Sequence, residues 1–519
     1  MTLELTLNWT SGLDCLLRNQ KYQNDPAIQV ELLKSITEPP AYTSRVLERM
    51  PPQVLLFIEQ LAVLSKFAIL YCRGCIRPVD FFDRLFQSCL VLSELRTSEQ
   101  RPAEVKTPRD FIKLELIGTF GFEDPLASNV LLFASFFEWE ERNAKRDHLN
   151  DISPAADFTK FFGMTWREYM AAGHFIWAYF RQFRSLESLT KSSIVFDWRK
   201  FLRKLKSTAI LESWYRQNAR DLSDVRALFQ SDELPHYSGH WLFPLKQKPL
   251  IELPTGKVCC PHLPFLENAI APGPFYRLTD KYGEMSSQLS QDCRTLFGEF
   301  FEEYTAGLFA RIAAARRWAF SREVPYGAGM KSSDVFLSDG KNAAFIEVFW
   351  SRFRLQQTLL ELDEEAITED LNRLVAKAKQ VDRSIRYFRA GKFTIKDIDN
   401  GSIEHFFPIL VTSFAVPHFI GIIDYIRAAL SGERLLEDAE PLLITEVQAF
   451  DLSAETLISE IPLFDLLVKK RDHPQGKNLS YMNFLALFGK SIGLSDDLKK
   501  PDEMQRIENS IKDINMKWL

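Results

Sequence analysis

The sequence predicts a mixed α+β protein in which a large α-helical N-terminal region precedes an α-β-β-β-α-β core. Two changes of texture carry that expectation. From about Asp25 to Gln230 apolar residues recur at helical spacing, whereas after Asp280 the chain runs through a helix, alternating hairpin strands, a long helix and further strands. A third observation bounds its size: 519 residues make roughly two to four folding units at ordinary domain lengths.

Residues 1–230 are expected to form a helical region. Leu55, Ile58, Leu61 and Ile69, then Phe81, Leu85, Cys89 and Leu92, fall on single helical faces. Prolines 51, 52, 78, 102, 108, 125 and 154 sit at the expected connections, since proline begins or ends helices more readily than it continues them. No period repeats, which excludes a solenoid. Residues 231–285 are rich in proline, glycine and aromatics. They read as a bridging segment with short strands and no helical period.

Residues 286–450 carry the core pattern. A helix holds LFGEFFEEYTAGLFARIAAA, and a strand follows near Trp318–Pro325. YGAGMK turns into SSDVFL, Asp339-Gly340 marks a tight hairpin, and NAAFIEVFW is the next strand. A long helix from about Thr368 to Phe388 leads to the apolar runs Phe407–Phe414 and Pro441–Val447. Residues 451–519 read as a helical extension.

Composition narrows the class. Hydrophobic residues make up 46% and charged residues 26%, the usage of a folded globular chain. The net charge of −5 supplies no global attraction for a polyanion, so contact with nucleic acid would need a local basic surface. Seven scattered cysteines, an odd number without framework spacing, point to a reducing compartment. The N-terminus lacks the basic-then-apolar order of a secretory signal. Val54 to Cys72 is interrupted by Glu59, Gln60 and Lys66, which favours a buried helix over a membrane span. A cytoplasmic protein with no membrane contact is expected.

The chemistry centres on Asp334 in SSDVFL and Glu347 in FIEVF, which a hairpin can bring to one edge of the sheet. Flanked by Phe345, Ile346, Val348, Phe349 and Trp350, Glu347 is a costly carboxylate to bury unless something binds it. Singly, an Asp after a Ser-Ser turn is a turn residue and a strand Glu is solvent-facing. Their joint placement is the signal.

This element order, with these acids, resembles the PD-(D/E)XK nuclease-like superfamily over about 150 residues, and so implies a restriction-endonuclease-like core. In that family a carboxylate on the second strand and another on the third converge on a divalent cation, with a lysine two positions after the latter. The resemblance implies metal ligation by Asp334, Glu347 and, from the Gly298-Glu299-Phe300-Phe301-Glu302 helix, Glu302, with Glu299 and Glu303 on the neighbouring stripe. Hard oxygen ligands suit Mg²⁺ or Mn²⁺. The sequence departs from the family where Phe349 occupies the lysine position. Lys377 or Lys379 on the following helix, Arg352 after the strand, or Lys331 before Asp334 could replace that lysine. Otherwise the fold is a binding scaffold. Arg352, Lys331 and Arg383 are the expected substrate contacts; Arg383 lies on the helix after the strand, whose Arg373, Lys377, Lys379, Arg383, Arg386 and Arg389 form either a solvated face or a phosphate-contacting flank.

Two constellations compete. Arg142 to His148 matches the short Arg-spacer-His pattern of the HEPN family of helical ribonucleases, against a reading as a charged helix end. Cys72 and Cys75 with Cys259, Cys260 and His262 could offer a zinc set, but small apolar packing accounts for them more simply. The sequence is therefore read as a metal-dependent nucleic-acid phosphodiesterase or a degenerate relative, acting on DNA or RNA. Its alternatives are a non-catalytic nucleic-acid or protein binding scaffold and a HEPN-like ribonuclease. By resemblance, such fusions often serve bacterial restriction or anti-phage defence, with the helical half engaging a regulatory protein or a second copy of the chain.

Overall fold

A computed structural model describes residues 66, 126–143, 152–181, 196–206, 208–230, 242–326, 330–350, 364–396, 398–413, 420–474, 476–494 and 502–518. The fold is mixed α+β and mostly helical, with two small mixed sheets and a two-stranded ribbon. Among the described residues, no helix is long and apolar enough to cross a membrane.

The first half comprises α1 (Leu126–Asn143), α2 (Pro154–Phe162), α3 (Trp166–Arg181), β1 (Phe196–Asp197), α4 (Trp198–Leu202) and α5 (Ala209–Asn218). Next come β2 (Ala219–Asp221), α6 (Leu222–Gln230), α7 (Phe243–Gln247), β3 (Leu250–Glu252) and β4 (Lys257–Cys259). The four strands join in the order β1-β4-β3-β2. The segment read as a bridge continues into α8 (Leu263–Ile270) and α9 (Gly273–Met285), both opening on a proline in the first turn, where its missing N–H leaves no bond unmade.

The second half starts with α10 (Ser287–Arg316), capped by Ser286 Oγ, which accepts from the Gln288 N–H. It is followed by β5 (Ala319–Arg322), β6 (Pro325–Tyr326), β7 (Met330–Lys331), β8 (Val335–Ser338) and β9 (Asn342–Phe349). Then come α11 (Glu364–Arg389), β10 (His405–Thr412), α12 (Ile420–Gly432), β11 (Leu443–Glu446), α13 (Val447–Ser459), α14 (Leu463–Asp472), α15 (Tyr481–Phe488) and α16 (Asp502–Trp518). The hairpin between β8 and β9 turns at Asp339-Gly340: Gly340 takes φ +101°, and Asp339 Oδ1 accepts from the N–H groups of Lys341 and Asn342.

The five-stranded sheet has the order β11-β10-β9-β8-β5, antiparallel from β5 to β9 and parallel from β9 to β11. Helices cover both faces, so β9 and β10 are buried along almost their whole length. Alternation sorts their side chains. Val335, Leu337, Ala344, Ile346 and Val348 join Phe297, Phe300, Phe301 and Phe309 of α10 in a core that extends to Phe133 and Phe136 of α1 and to Trp518. Phe336, Phe345, Phe349 and Leu410 face Leu371, Leu374, Ala378, Ile385 and Phe388 of α11. The apolar face expected of that helix is thus the one it buries. One apolar cluster runs through the helical half, α8 and α9, the sheet and the C-terminal helices.

Candidate active site

The β8–β9 register pairs Val335 with Ile346. One step further, Asp334 stands opposite Glu347, and residues directly opposed in an antiparallel pair point to the same face. That face carries Phe336, Phe345 and α11. Asp334 is fixed by its own hairpin: its Oδ2 accepts from the Val348 N–H at 2.7 Å. Glu347 is 4% exposed. Its Oε1 accepts from Lys377 Nζ at 2.8 Å, while its Oε2 is buried without a hydrogen-bond partner.

Two carboxylates and one ammonium in a half-dry pocket cannot all ionise without opposition. Burial, then repulsion from Asp334, raises the Glu347 carboxyl above the usual carboxylate range. Burial also raises Asp334, against the Val348 N–H and Lys377. For Lys377 burial acts downward, yet the facing carboxylates, Glu347 foremost, hold it above its ordinary value. Glu302 lies on the exposed side of α10 and is raised by burial and by Asp334, which places it within electrostatic reach of the pair. Among the described residues, no three His, Cys, Asp or Glu side chains converge closely enough to form a ready-made metal-ligand group.

The donor set nevertheless suits a hard divalent cation. Asp334 and Glu347 offer carboxylate oxygens from adjacent strands, and the orphaned Glu347 Oε2 is a buried acceptor with nothing to accept from.

The other sequence-derived candidates disperse. Phe349 shares the face of Glu347 but packs into the α11 core, with the Arg373 guanidinium 6.0 Å from its ring centre. Lys379, two residues after Lys377 and therefore on another side of the helix, pairs with Glu433 at 2.7 Å. Lys331 is exposed and paired with Glu323 at 2.5 Å. Arg383 lines an open cleft of about 670 Å³ together with Phe349, Arg373, Lys377, Gln380 and Arg386. Its Nε is buried without a hydrogen-bond partner. Arg352, His148, Cys72 and Cys75 lie outside the described residues. Arg142 sits in the last turn of α1, exposed, donating to the Glu138 carbonyl. Cys259, Cys260 and His262 are buried in the apolar interior. No protein-family model, curated protein or solved structure matches the chain.

Proposed function

We propose that the protein is a metal-dependent nucleic-acid phosphodiesterase whose core is a PD-(D/E)XK-type nuclease fold. The observation that carries this reading is the amine of Lys377, which reaches Glu347 at 2.8 Å while position 349 holds Phe. In this reading the basic group of the family motif is supplied from the facing helix rather than from the strand. The strand order and the register that opposes Asp334 to Glu347 support the same reading.

Asp334 and Glu347 would hold the cation, which when bound supplies polarisation of a phosphoryl oxygen and acidification of water. As a ligand Glu347 would be ionised, its proton lost to solvent, and Lys377 would orient a water and offset negative charge on the phosphate. Arg383 and Arg386, further along the same helix, line the cleft in which a phosphodiester backbone would lie.

A second reading, a nuclease-like scaffold that binds without cutting, is favoured by the Lys377–Glu347 ion pair, which already satisfies one of the oxygens a cation would need. Incubating the full chain with Mg²⁺ or Mn²⁺ and plasmid, single-stranded DNA, tRNA or total RNA separates the two. Cleavage that disappears in Glu347→Ala is expected, with a loss of about a thousandfold or more. Intact substrates across that panel, with retained binding, would establish the scaffold instead. Cleavage that persists in chelator but fails in His148→Ala would point to the helical half.

A further inference from the structure

Far from the carboxylates in sequence, the sheet β1-β4-β3-β2 carries a group of cations at its β2 edge. Arg220 lies in β2, Lys248 comes just before β3, and Arg277 lies in α9. β2 and β3 run parallel, with Ala219 opposite Leu250 and Arg220 opposite Ile251, so Lys248, two residues ahead of β3, enters beside the end of α5 that feeds β2. All three meet around Gln247. Arg220 Nη2 donates to Gln247 Oε1 at 2.9 Å, and Arg277 Nη2 reaches the Gln247 carbonyl at 3.5 Å. Lys248 Nζ rests 3.5 Å from the Arg216 carbonyl. Arg277 is further clamped by Asn218 Oδ1 at 2.7 Å and the Gln217 carbonyl at 3.1 Å. Asn218 is itself fully buried and held by the Tyr169 hydroxyl and the Trp214 carbonyl. These are positions set by the fold rather than by solvent.

What this arrangement lacks is a carboxylate in direct contact. Every acceptor around the three cations is a carbonyl or an amide oxygen, and among the described residues no carboxylate comes within ion-pair distance of any of them. Arg220 Nη1 is buried and has no hydrogen-bond partner. Asp224 near Arg220 and Lys248, and Asp280 near Arg277, both exposed, act only at longer range. Burial, and then repulsion from Arg220 and Arg277, lowers the Lys248 ammonium below its ordinary value. Neutral acceptors fix the geometry of such a cluster but leave its repulsion standing, and a folded chain gathers like charges this way at sites completed by an anion.

We propose that Arg220, Lys248 and Arg277 form a binding site for a phosphate-class oxyanion. Two guanidinium groups and an ammonium from three separate segments supply several charge-assisted donors, which suits a tetrahedral anion with oxygens in several directions. The site rests on contacts independent of Asp334 and Glu347, and so stands or falls separately from the proposed hydrolysis.

Titration of the full chain with inorganic phosphate at constant ionic strength, read by melting temperature against chloride, tests it. A saturable rise is expected for the natural chain. Lys248→Gln should weaken the phosphate response about tenfold, the loss of one charge-assisted contact, while melting no lower in chloride because repulsion has been relieved. Lys248→Arg should retain the response. No phosphate-specific rise in the natural chain, or an equal rise in Lys248→Gln, would overturn the site. Competition identifies the source of the anion. A single-stranded oligonucleotide that displaces phosphate and weakens in parallel in Lys248→Gln marks a backbone phosphate; displacement by a nucleoside monophosphate alone marks a terminal one.

Discussion

The two ends of the α11 face of the central sheet are built from the same strands and the same helix, yet carry opposite chemistry. At one end Phe336 and Phe345 oppose each other across β8 and β9, centroids 5.0 Å apart, and close on Phe388 at 5.5 and 5.6 Å. Two residues along each strand, on the same face, Asp334 and Glu347 oppose each other and meet Lys377. The aromatic end stabilises itself through burial and edge-to-face contact. The charged end does the reverse, because burial pushes its carboxyls toward the neutral form. Stability alone would extend the aromatic stack to the end of the hairpin. On the proposed function, acids at that position are groups kept for a ligand, at some expense to the fold.

Breaking the aromatic end should give the largest stability effect. Phe388 is fully buried and touches Phe336, Phe345, Phe393 and Phe406. Phe388→Ala is expected to lower unfolding stability by about 4 kcal/mol, the range of large-to-small changes in a packed core. Urea unfolding measures this. A loss below about 1 kcal/mol would mean the stack is not the anchor described.

Cutting the ion pair at the other end sharpens the contrast. Lys377→Met leaves Glu347 buried beside Asp334 with no compensating charge, and should cost about 2 kcal/mol, reduced from the fully buried case because Lys377 keeps 27% of its side chain exposed. That cost depends on Glu347 being ionised. It should be small in acid, where Glu347 carries a proton in the fold, and grow as pH rises through the raised Glu347 value. An equal loss at pH 5 and pH 9 would show that Lys377 acts through packing of its methylene stem.

The same contrast explains what could be read from residues alone. The hairpin, the alternation and the two acids were legible because a period of two forces 334 with 336 and 345 with 347 onto one face whatever the surroundings. The choice between Lys377 and Lys379 was not. Both lie on the helix after the strand, and only the rotation at which α11 seats Leu374 and Ala378 against the sheet sends one to Glu347 and the other to Glu433. In the stretch read as a bridge, α8 and α9 were hidden because both open on proline, the residue that otherwise signals a break, and α8 is only eight residues long. Arg220, Lys248 and Arg277 left no trace as a set. They come from separate segments, and only the tertiary contacts around Gln247, which have no local sequence signature, bring those segments together.

The smallest effect is the most direct test of whether the acidic end opposes folding. In the fold Glu347 keeps its proton to higher pH than in the unfolded chain, where it titrates near the ordinary value of about 4.3. Between those two points the folded state binds more protons, so stability present in acid is lost as pH rises. Glu347→Gln keeps the shape and removes that titration. The variant should match the natural chain near pH 4 and exceed it by about 1 kcal/mol above neutrality, even as the proposed metal-dependent cleavage is lost. Asp451, sealed between α10 and α13 with the Tyr304 hydroxyl at 2.9 Å and pushed up to about 7 by burial, contributes a slope of the same sign. The pH dependence of unfolding should therefore shrink in Glu347→Gln rather than vanish. A variant less stable than the natural chain at pH 8 would mean that the Lys377–Glu347 pair holds the hairpin together, and the two ends of the α11 face would then be alike in what they do for the fold.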